Sequence, residues 1–201
     1  MIIHRYLSDM QAVIKALPHD AIEDVVDVLL EAYRHDRRII VMGNGGSATT
    51  ASHFACDLGK GTILAPGKRF KVIALTDSIP LITAWANDRD YESIFVEQML
   101  PLLERQDVVL GISGSGNSPN VLNALIAARE KGAVTIGLTG FQGGMLKDLV
   151  DHCIVVPSSS MQQIEDTHLM LLHLICLRIQ EKWTAVEEYC VADRVQDVAR
   201  A

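Results

Sequence analysis

The sequence has few aromatic residues and no excess of positive charge. Phe, Trp and Tyr make up 5% of its 201 residues, and 18 Lys and Arg stand against 25 Asp and Glu, which gives a formal net charge of −7. Proteins that hold nucleic acid need a basic surface for the phosphates or aromatic side chains that stack on bases. We therefore expect no direct nucleic-acid binding, although a small anion could still bind to glycine-rich backbone.

Cysteine is also scarce, and its spacing is uninformative. The four cysteines form no CxxC pair, which makes a metal or redox motif unexpected. Most of them lie within apolar segments, so we expect buried, reduced thiols rather than disulfides. The positions are Cys56, Cys153, Cys176 and Cys190.

Neither a secretion signal nor a membrane span is evident. Residues 1–5 lack the basic region and following apolar run of a signal peptide. The longest stretch without charge, 108–128, is interrupted by serine, glycine, asparagine and proline at 113–119. We predict a cytoplasmic protein that does not enter the membrane.

The rest of the chain alternates between short apolar runs and segments with helical spacing. Runs of four or five residues rich in Val and Ile are typical of strands covered on both faces. The alternation predicts a five-stranded parallel sheet in a three-layer α/β/α sandwich of the flavodoxin-like type. The predicted strands are 39–42, 71–75, 108–112, 134–138 and 153–156, and the helices between them are 48–58, 81–85, 91–103, 120–130 and 144–149.

Helical segments also precede and follow this core. The apolar spacing at 5–16 and 21–35 predicts two N-terminal helices, and a long helix over about 160–183 follows the last strand. Because residues 169–177 are apolar nearly all round, we expect that helix to be buried, for instance against another subunit. We predict a single domain over 1–201, divided into N-terminal helices (1–36), α/β core (37–158), C-terminal helix (159–184) and tail (185–201).

Two strand-to-helix loops are rich in glycine and hydroxyl groups. The first strand leads into Gly43-Asn44-Gly45-Gly46-Ser47, and the third into Ser113-Gly114-Ser115-Gly116-Asn117-Ser118. Ligands of open α/β sheets bind beyond the carboxyl ends of the strands, where such backbone and hydroxyl groups can donate to an anion. One loop of this kind would be an ordinary turn with a helix cap, but two favour a phosphate site.

Nucleotide motifs fit these loops poorly. No GxxxxGK[ST] occurs, and the first loop has Ala48 in place of the last glycine of GxGxxG, with no acidic residue about 20 positions later. A phosphorylated small molecule is therefore a better prediction than ATP or NAD.

Imidazole and carboxylate groups stand at two suggestive spacings. His53 and Asp57 are four residues apart and would share one helix face. Glu165 and His173 are eight apart on the last helix, about 12 Å along its axis, and long side chains could still meet at one ion. The set suits Zn²⁺ or a similar divalent ion. Each residue alone has an ordinary explanation, and His168 is an alternative to His173, so spacing does not establish a metal site.

With these residues placed, the sequence resembles the sugar isomerase (SIS) domain family and, within it, the phosphoheptose isomerases. The resemblance implies a homotetramer of α/β/α sandwiches whose active sites are shared between subunits. It also implies interconversion of sedoheptulose 7-phosphate and D-glycero-D-manno-heptose 7-phosphate for lipopolysaccharide or other heptose-containing glycans. It rests on 43–47 with Ala51-Ser52-His53-Phe54-Ala55, Thr83-Ala84-Trp85-Ala86-Asn87-Asp88, 112–118, Leu138-Thr139-Gly140 and 164–173.

The resemblance also implies roles for individual residues. The serine loop, with Ser113, Gly114, Ser115 and Ser118, would hold the phosphate. The sugar would be lined by Asn44, Gly45, Gly46, Ser47, Asn87, Asp88 and Glu165. One Zn²⁺ per subunit would be bound by His53, Asp57, Glu165 and His173, and the catalytic groups would be Asp57, Glu165 and His173.

Three positions depart from the family pattern. Asp57 replaces a glutamate, Glu165 replaces a glutamine, and Gly114 replaces a threonine. An aldose–ketose isomerase moves a proton between adjacent carbons through an enediol(ate), so it needs a base, an acid and stabilisation of negative charge. The carboxylate of an aspartate stops roughly 1.5 Å short of that of a glutamate, a misplacement that can cost about a hundredfold in rate. Our hypothesis is a paired exchange, in which Glu165 takes over part of the base or ligand role while Asp57 stays on the metal.

Two other functions remain open at this point. One is that of a family branch resembling the replication-initiator-associating protein, which keeps the tetramer but binds a protein partner and has lost the catalytic glutamate and the last histidine. The retained His173 and the acidic residues at 57 and 165 favour an enzyme. The other is an isomerase or binder of a different phosphosugar.

Overall fold

A five-stranded parallel sheet forms the centre of the protein. The computed structural model describes the backbone of residues 1–200 and the side chains of residues 1–185. The strand order is β2-β1-β3-β4-β5, so the chain first extends the sheet on one side of β1 and then crosses to the other. The carboxyl ends of β1 and β3 therefore flank the point where the order reverses, the usual ligand position in such sheets. The strands are β1 Arg38–Gly43, β2 Lys71–Ala74, β3 Val108–Ile112, β4 Val134–Thr139 and β5 His152–Val155.

Helices cover both faces of the sheet, as predicted. One apolar core joins α2, α3 and α8 to alternate strand residues, and a second joins α4, α5, α6 and α7 to the residues between them. The helices are α1 Ile2–Lys15, α2 His19–Arg34, α3 Gly46–Cys56, α4 Ile79–Asp88, α5 Ile94–Met99, α6 Pro119–Glu130, α7 Gly144–Leu149 and α8 Met161–Arg200. The predicted α/β/α sandwich with N-terminal helices and a long C-terminal helix is confirmed.

The predicted helix over 91–103 is wrong in its extent. A short 3₁₀ turn, Tyr91–Ser93, comes first, and α5 is confined to Ile94–Met99. The Asp90 side chain caps this turn by accepting a hydrogen bond from the Ser93 amide. Pro101 has no backbone N–H with which to continue the helical hydrogen bonds, so α5 ends soon after Met99.

The predicted helix over 48–58 changes type near its end. α3 ends at Cys56, and a π-helical turn, Asp57–Gly61, continues it. Glycines at 59 and 61 weaken regular α-helix there. Asp57 therefore lies on the π-helical turn rather than within α3.

The last helix is longer than predicted. α8 runs to Arg200 instead of ending near Trp183, in keeping with the lack of glycine and proline over 184–200. The side chains of the predicted tail lie outside the described residues from 186 onward. In the apolar stretch 169–177, Leu171, Leu172 and Ile175 are buried, whereas Leu174 and Leu177 are 43% and 63% exposed.

The thiols differ partly from expectation. Cys176 is buried, Cys153 is half-buried, and Cys56 is exposed, because it lies on the outer side of the last turn of α3. Cys190 lies outside the residues whose side chains are described. Among the described residues, we find no helix long and apolar enough to span a membrane.

Candidate active site and metal cluster

Two loops meet where the strand order reverses, and a pair of amides joins them. Asn44, after β1, donates from Nδ2 to Asn120 Oδ1 at 2.8 Å, and Asn120, at the start of α6, donates back to Asn44 Oδ1 at 2.9 Å. Asn120 is buried, so the pair is shielded from water. The phenol of Tyr91 also donates to Asn44 Oδ1, at 3.0 Å. These contacts fix the glycine loop against the start of the serine loop's helix.

The serine loop turns its hydroxyl groups toward one another. Ser113 Oγ and Ser118 Oγ are 3.0 Å apart, and Ser115 Oγ accepts from the Asn117 amide at 3.2 Å. The loop turns at Gly116, whose φ is 68°; a Cβ there would lie 2.0 Å from the carbonyl oxygen of Gly143. A Cβ on Gly114 would lie 2.5 Å from Met161 Sδ, so the side chain of Met161 occupies the space that a side chain at residue 114 would need.

The glycine loop is shaped by close approaches as well. Gly45 has a φ of 55°, and Ser47 is buried at the start of α3. The carboxylate of Glu165, on α8, lies against Gly46: a Cβ on that glycine would be 3.0 Å from Glu165 Oε1. Glycine at residue 46 therefore lets an acidic side chain reach the loop.

Three of the four predicted metal ligands come together. His53 Nε2 lies 3.2 Å from His173 Nε2 and 3.2 Å from Asp57 Oδ2, and His173 Nε2 lies 3.3 Å from the same Oδ2. Two imidazole nitrogens and one carboxylate oxygen thus converge, and the three groups are partly exposed. This donor set fits a divalent ion held by three protein ligands with one position open. The expected shortfall of Asp57 does not prevent it from reaching both histidines.

Glu165 does not join this cluster. α3 and α8 run side by side in the same direction, because Gly46 contacts Glu165 and, further along both helices, His53 contacts His173. Glu165 precedes His173 by eight residues, and Gly46 precedes His53 by seven, so both pairs are separated by about 10 to 12 Å along their helices. Glu165 thus lies beside the glycine loop, and three side chains form the group that could hold a metal ion; a ligand role for Glu165 stays a prediction.

Asn87 and Asp88 lie at the end of α4 and face solvent. Asn87 Nδ2 donates to Asp88 Oδ1 at 2.8 Å, and both side chains are exposed. Within the described chain, no hydrogen bond joins this pair to either loop. Their predicted contact with the sugar therefore stays a prediction.

His168 is buried and braces the end of β4. Its Nε2 lies 3.2 Å from the carbonyl oxygen of Thr139, while its Nδ1 is buried without a hydrogen-bond partner among the described residues. Burial lowers the pKa of His168 to about 4, against the opposing effect of the Thr139 carbonyl. The next amide, that of Gly140, donates to the carbonyl of Gly114 at 2.9 Å. A neutral histidine thus supports the end of β4, whose next residue, Gly140, holds the serine loop at Gly114.

Sequence reasoning missed several residues of this region. Asn120 and Thr62 are buried polar residues. The partner of Asn120 is the distant Asn44, and that of Thr62 is Asp57 across a turn, so the sequence offered only their polar side chains as a signal. Nothing in the local sequence indicated a role for Tyr91, because its partner Asn44 is 47 residues away. The contribution of His168 to the serine loop was likewise visible only once α8 was placed beside β4.

Comparisons with known proteins agree with this architecture. The SIS domain profile matches residues 5–140. The phosphoheptose isomerase of Geobacter sulfurreducens is 38% identical over 161 residues, which cover 80% of this chain and 85% of the relative. That of Helicobacter pylori (strain P12) is 36% identical over 178 residues, or 88% and 92% of the two chains.

Solved structures show the same likeness. A phosphoheptose isomerase from Francisella tularensis superposes with a TM-score of 0.82 at 30% identity, covering 90% of this chain and 96% of the other. The enzyme from Neisseria gonorrhoeae gives 0.81 at 30% identity, with coverage of 89% and 97%. A five-stranded parallel sheet between two layers of helices, together with this profile match, is that of an SIS domain protein. The chain belongs to the phosphoheptose isomerase family of SIS domain proteins.

Proposed function

We propose that the protein is an isomerase that interconverts sedoheptulose 7-phosphate and D-glycero-D-manno-heptose 7-phosphate. The convergence of His53, Asp57 and His173 beside the two ligand loops carries this proposal. From Gly46 to His53 the helix advances about 10 Å. This distance suits an extended sugar phosphate whose phosphate end lies at the loops and whose carbonyl end lies at the cluster. The four relatives described above are named phosphoheptose isomerases, and this supports the choice of substrate.

The phosphate is held by the serine loop in this proposal. Ser113, Ser115 and Ser118 offer hydroxyl groups at the start of α6, where backbone amides and the helix dipole favour an anion. Gly114 adds backbone that a ligand can approach closely. The sugar hydroxyls are bound by Asn44, Gly45, Gly46, Ser47 and Glu165, and by Asn87 and Asp88.

The carbonyl end of the sugar lies at the cluster. A divalent ion, Zn²⁺ by donor type, would be held by His53, Asp57 and His173 and would polarise the sugar carbonyl and stabilise negative charge on its oxygen. Asp57 takes the proton from the carbon beside the carbonyl and returns it to the carbonyl carbon, while His173 gives a proton to the carbonyl oxygen and takes one from the hydroxyl oxygen of the adjacent carbon. Glu165 holds sugar hydroxyls beside Gly46, rather than sharing the ligand role of the exchange hypothesis.

The remaining assignments follow the resemblance. We propose one domain, one Zn²⁺ per subunit, a homotetramer with shared active sites, a cytoplasmic location and a role in heptose-containing glycans such as lipopolysaccharide. Exposed apolar side chains on α1 support the tetramer, since Ile2, Ile3 and Leu7 are 65%, 68% and 57% exposed in one chain. No observation on the described residues favours the protein-binding alternative.

Turnover measured by NMR tests the proposed function. Zinc-loaded protein is expected to convert sedoheptulose 7-phosphate to the aldose, and treatment with a chelator should abolish the conversion. His173→Gln should lower the rate by about 10²- to 10⁴-fold, as expected for loss of an acid–base group. Turnover of a different phosphosugar only would contradict the substrate assignment, and an inactive tetramer that captures a replication initiator would contradict the enzyme.

A further inference from the structure

The carboxylate of Asp57 depends on an unusual piece of backbone. Asp57 is the first residue of the π-helical turn Asp57–Gly61, and turns of this kind are frequent at functional sites. The turn contains two glycines, which have little intrinsic preference for helix, so contacts with the rest of the protein must hold it. An aspartate has one rotatable bond fewer than a glutamate, so the position of its carboxylate follows the backbone more closely.

Thr62, directly after the turn, makes the contacts that hold it. Its side chain is 1% exposed, and Oγ1 donates to the carbonyl oxygen of Asp57 at 3.2 Å. The same hydroxyl group faces the thiol of Cys176, three residues after His173 on α8, and opposes the effect of burial on the pKa of that thiol. Burial raises the pKa of Cys176 to about 11, so this sulfur stays a neutral thiol at physiological pH.

A second contact joins the end of the turn to α8. Gln180 Nε2 donates to the carbonyl oxygen of Gly61 at 3.0 Å. Of the two links, the one through Thr62 is buried and lies one helical turn from His173, whereas the Gln180 link is exposed. Thr62 therefore joins the backbone that carries one ligand to the helix that carries another.

We propose that Thr62 is a positioning residue for Asp57, and that its hydroxyl group fixes the distance between the Asp57 carboxylate and His173. The proposal rests on the metal cluster of the proposed function and extends it to a group that touches neither metal nor substrate. Residues that orient metal ligands typically change metal affinity by about 10- to 100-fold when they are removed. Because the link passes through one hydroxyl group, a serine should preserve it and a valine should not.

The experiment compares three threonine variants by zinc affinity and by kinetics. Thr62→Val removes the hydroxyl group at nearly constant volume, and Thr62→Ser keeps it. Thr135→Val is the matched control: Thr135 is also 1% exposed and exchanges two hydrogen bonds with Asp151, but it lies at the amino end of β4. Zinc affinity is measured on metal-free protein by competition with a chromogenic chelator, and folding is checked by circular dichroism.

We expect Thr62→Val to bind Zn²⁺ about tenfold or more weakly and to lose kcat more than KM, with Thr62→Ser within about threefold of the wild type. Thr135→Val should keep the wild-type zinc affinity. Equal affinity in Thr62→Val and the wild type would overturn the proposal, as would an equal loss in the control. If Thr62→Val does not fold, two single variants, Gln180→Leu and Thr62→Ser, are measured instead. Wild-type zinc affinity and rate in both variants support the proposal, and a tenfold loss of zinc affinity in Thr62→Ser overturns it.

These outcomes are separate from the test of the substrate. A wild-type protein that binds Zn²⁺ but does not turn over sedoheptulose 7-phosphate contradicts the proposed reaction, yet the zinc affinities still decide the role of Thr62. A wild-type protein that binds no Zn²⁺ overturns the role of Thr62 directly.

Discussion

At the scale of single residues, the two acidic groups of the site have been separated by the packing of α3 on α8. Asp57 contacts both histidines, whereas Glu165 contacts the glycine loop about two helical turns away. Two carboxylates that looked interchangeable in sequence are therefore expected to affect different properties of the enzyme.

Glu165→Gln should impair the reaction without releasing the metal. We expect kcat/KM to fall by about 10- to 100-fold, because a neutral amide binds sugar hydroxyls less strongly than a carboxylate does. Zinc affinity should stay within about threefold, whereas Asp57→Asn, the comparison variant, should weaken it much more. Steady-state kinetics and chelator competition measure the two effects. Unchanged turnover, or a loss of zinc affinity equal to that of Asp57→Asn, would show that this division of roles is wrong.

His168 makes the folded state sensitive to acid. Burial lowers its pKa to about 4 in the folded protein, so the fold favours the neutral ring. The unfolded chain takes up the proton near pH 6.5, and the stability present above that pH is therefore lost as the pH falls toward 4, by about 3 kcal/mol for this group. Urea unfolding at pH 7 and pH 4.5 should show a smaller acid loss in His168→Gln than in the wild type.

An exposed histidine provides the control for this effect. His19→Gln, at the start of α2, should keep the acid loss of the wild type, since His19 lies at the surface. The same acid loss in His168→Gln and the wild type would mean that other groups account for the pH dependence.

At the scale of elements, the serine loop and α7 support each other. The Leu146 amide donates to the carbonyl of Gly116 at 3.0 Å, and the Met145 amide donates to Asn117 Oδ1, also at 3.0 Å. The first turn of α7 thus finds partners for its free amides on the proposed phosphate loop. The loop and α7 can approach this closely only because residue 116 has no side chain.

Gly116→Ala should damage both the fold and the phosphate site. The new Cβ would meet the Gly143 carbonyl at 2.0 Å and impose strain at a φ of 68°, so we expect a loss of more than about 2 kcal/mol in the free energy of unfolding. Gly67→Ala is the control, because Gly67 also has a positive φ but open space around it, and should cost about 1 kcal/mol. Urea unfolding and calorimetric titration with sedoheptulose 7-phosphate measure the effects. Equal losses in the two variants would contradict the importance of this packing.

How far the elements could be predicted depends on whether their causes are local. The strands could be predicted, since a run covered on both faces is apolar throughout, as at 108–112. The 3₁₀ turn at 91–93 begins at the Asp90 cap, which is a local signal in the sequence. The π-helical turn and the exposure of Cys56 depend on what packs against the end of α3, which no local pattern specifies.

The same distinction applies to the site. The two ligand loops and the His53–Asp57 pair follow from local sequence, because a glycine-rich turn and an i, i+4 spacing have direct geometric meaning. Asn120 pairs with Asn44 across 76 residues, and His173 reaches His53 across 120, so both contacts require the order of the strands and the seating of α8. The packing of α8 also determines that Glu165 lies beside Gly46 rather than beside His53 and His173.

At the scale of the whole molecule, one chain leaves a large apolar surface uncovered. In α1 only Val13 is buried, and the Tyr6 phenol, which donates to Asp166 Oδ2 at 2.5 Å, ties the helix to α8. Leu174 and Leu177 of α8 and Ile79 and Leu81 of α4 are exposed as well. Exposed apolar surface of this kind is typical of protein interfaces, so the proposed tetramer would have consequences for the site.

Leu7→Glu should dissociate the proposed tetramer while leaving the metal cluster intact. A charge placed on the exposed apolar face of α1 would be buried without a partner in the assembly, which is strongly unfavourable. Light scattering coupled to size exclusion should therefore show a smaller species than for the wild type. Zinc affinity should stay within about threefold, because all three ligands belong to one chain.

Turnover of the dissociated protein then decides whether the sites are shared. If a neighbouring subunit completes the sugar site, Leu7→Glu should lose most of its activity while still binding zinc. Ser8→Glu adds the same charge on the same helix without removing an apolar side chain, so it should dissociate less and keep more activity. A wild-type protein that is monomeric, or a dissociated Leu7→Glu that is fully active, would show that each chain carries a complete site.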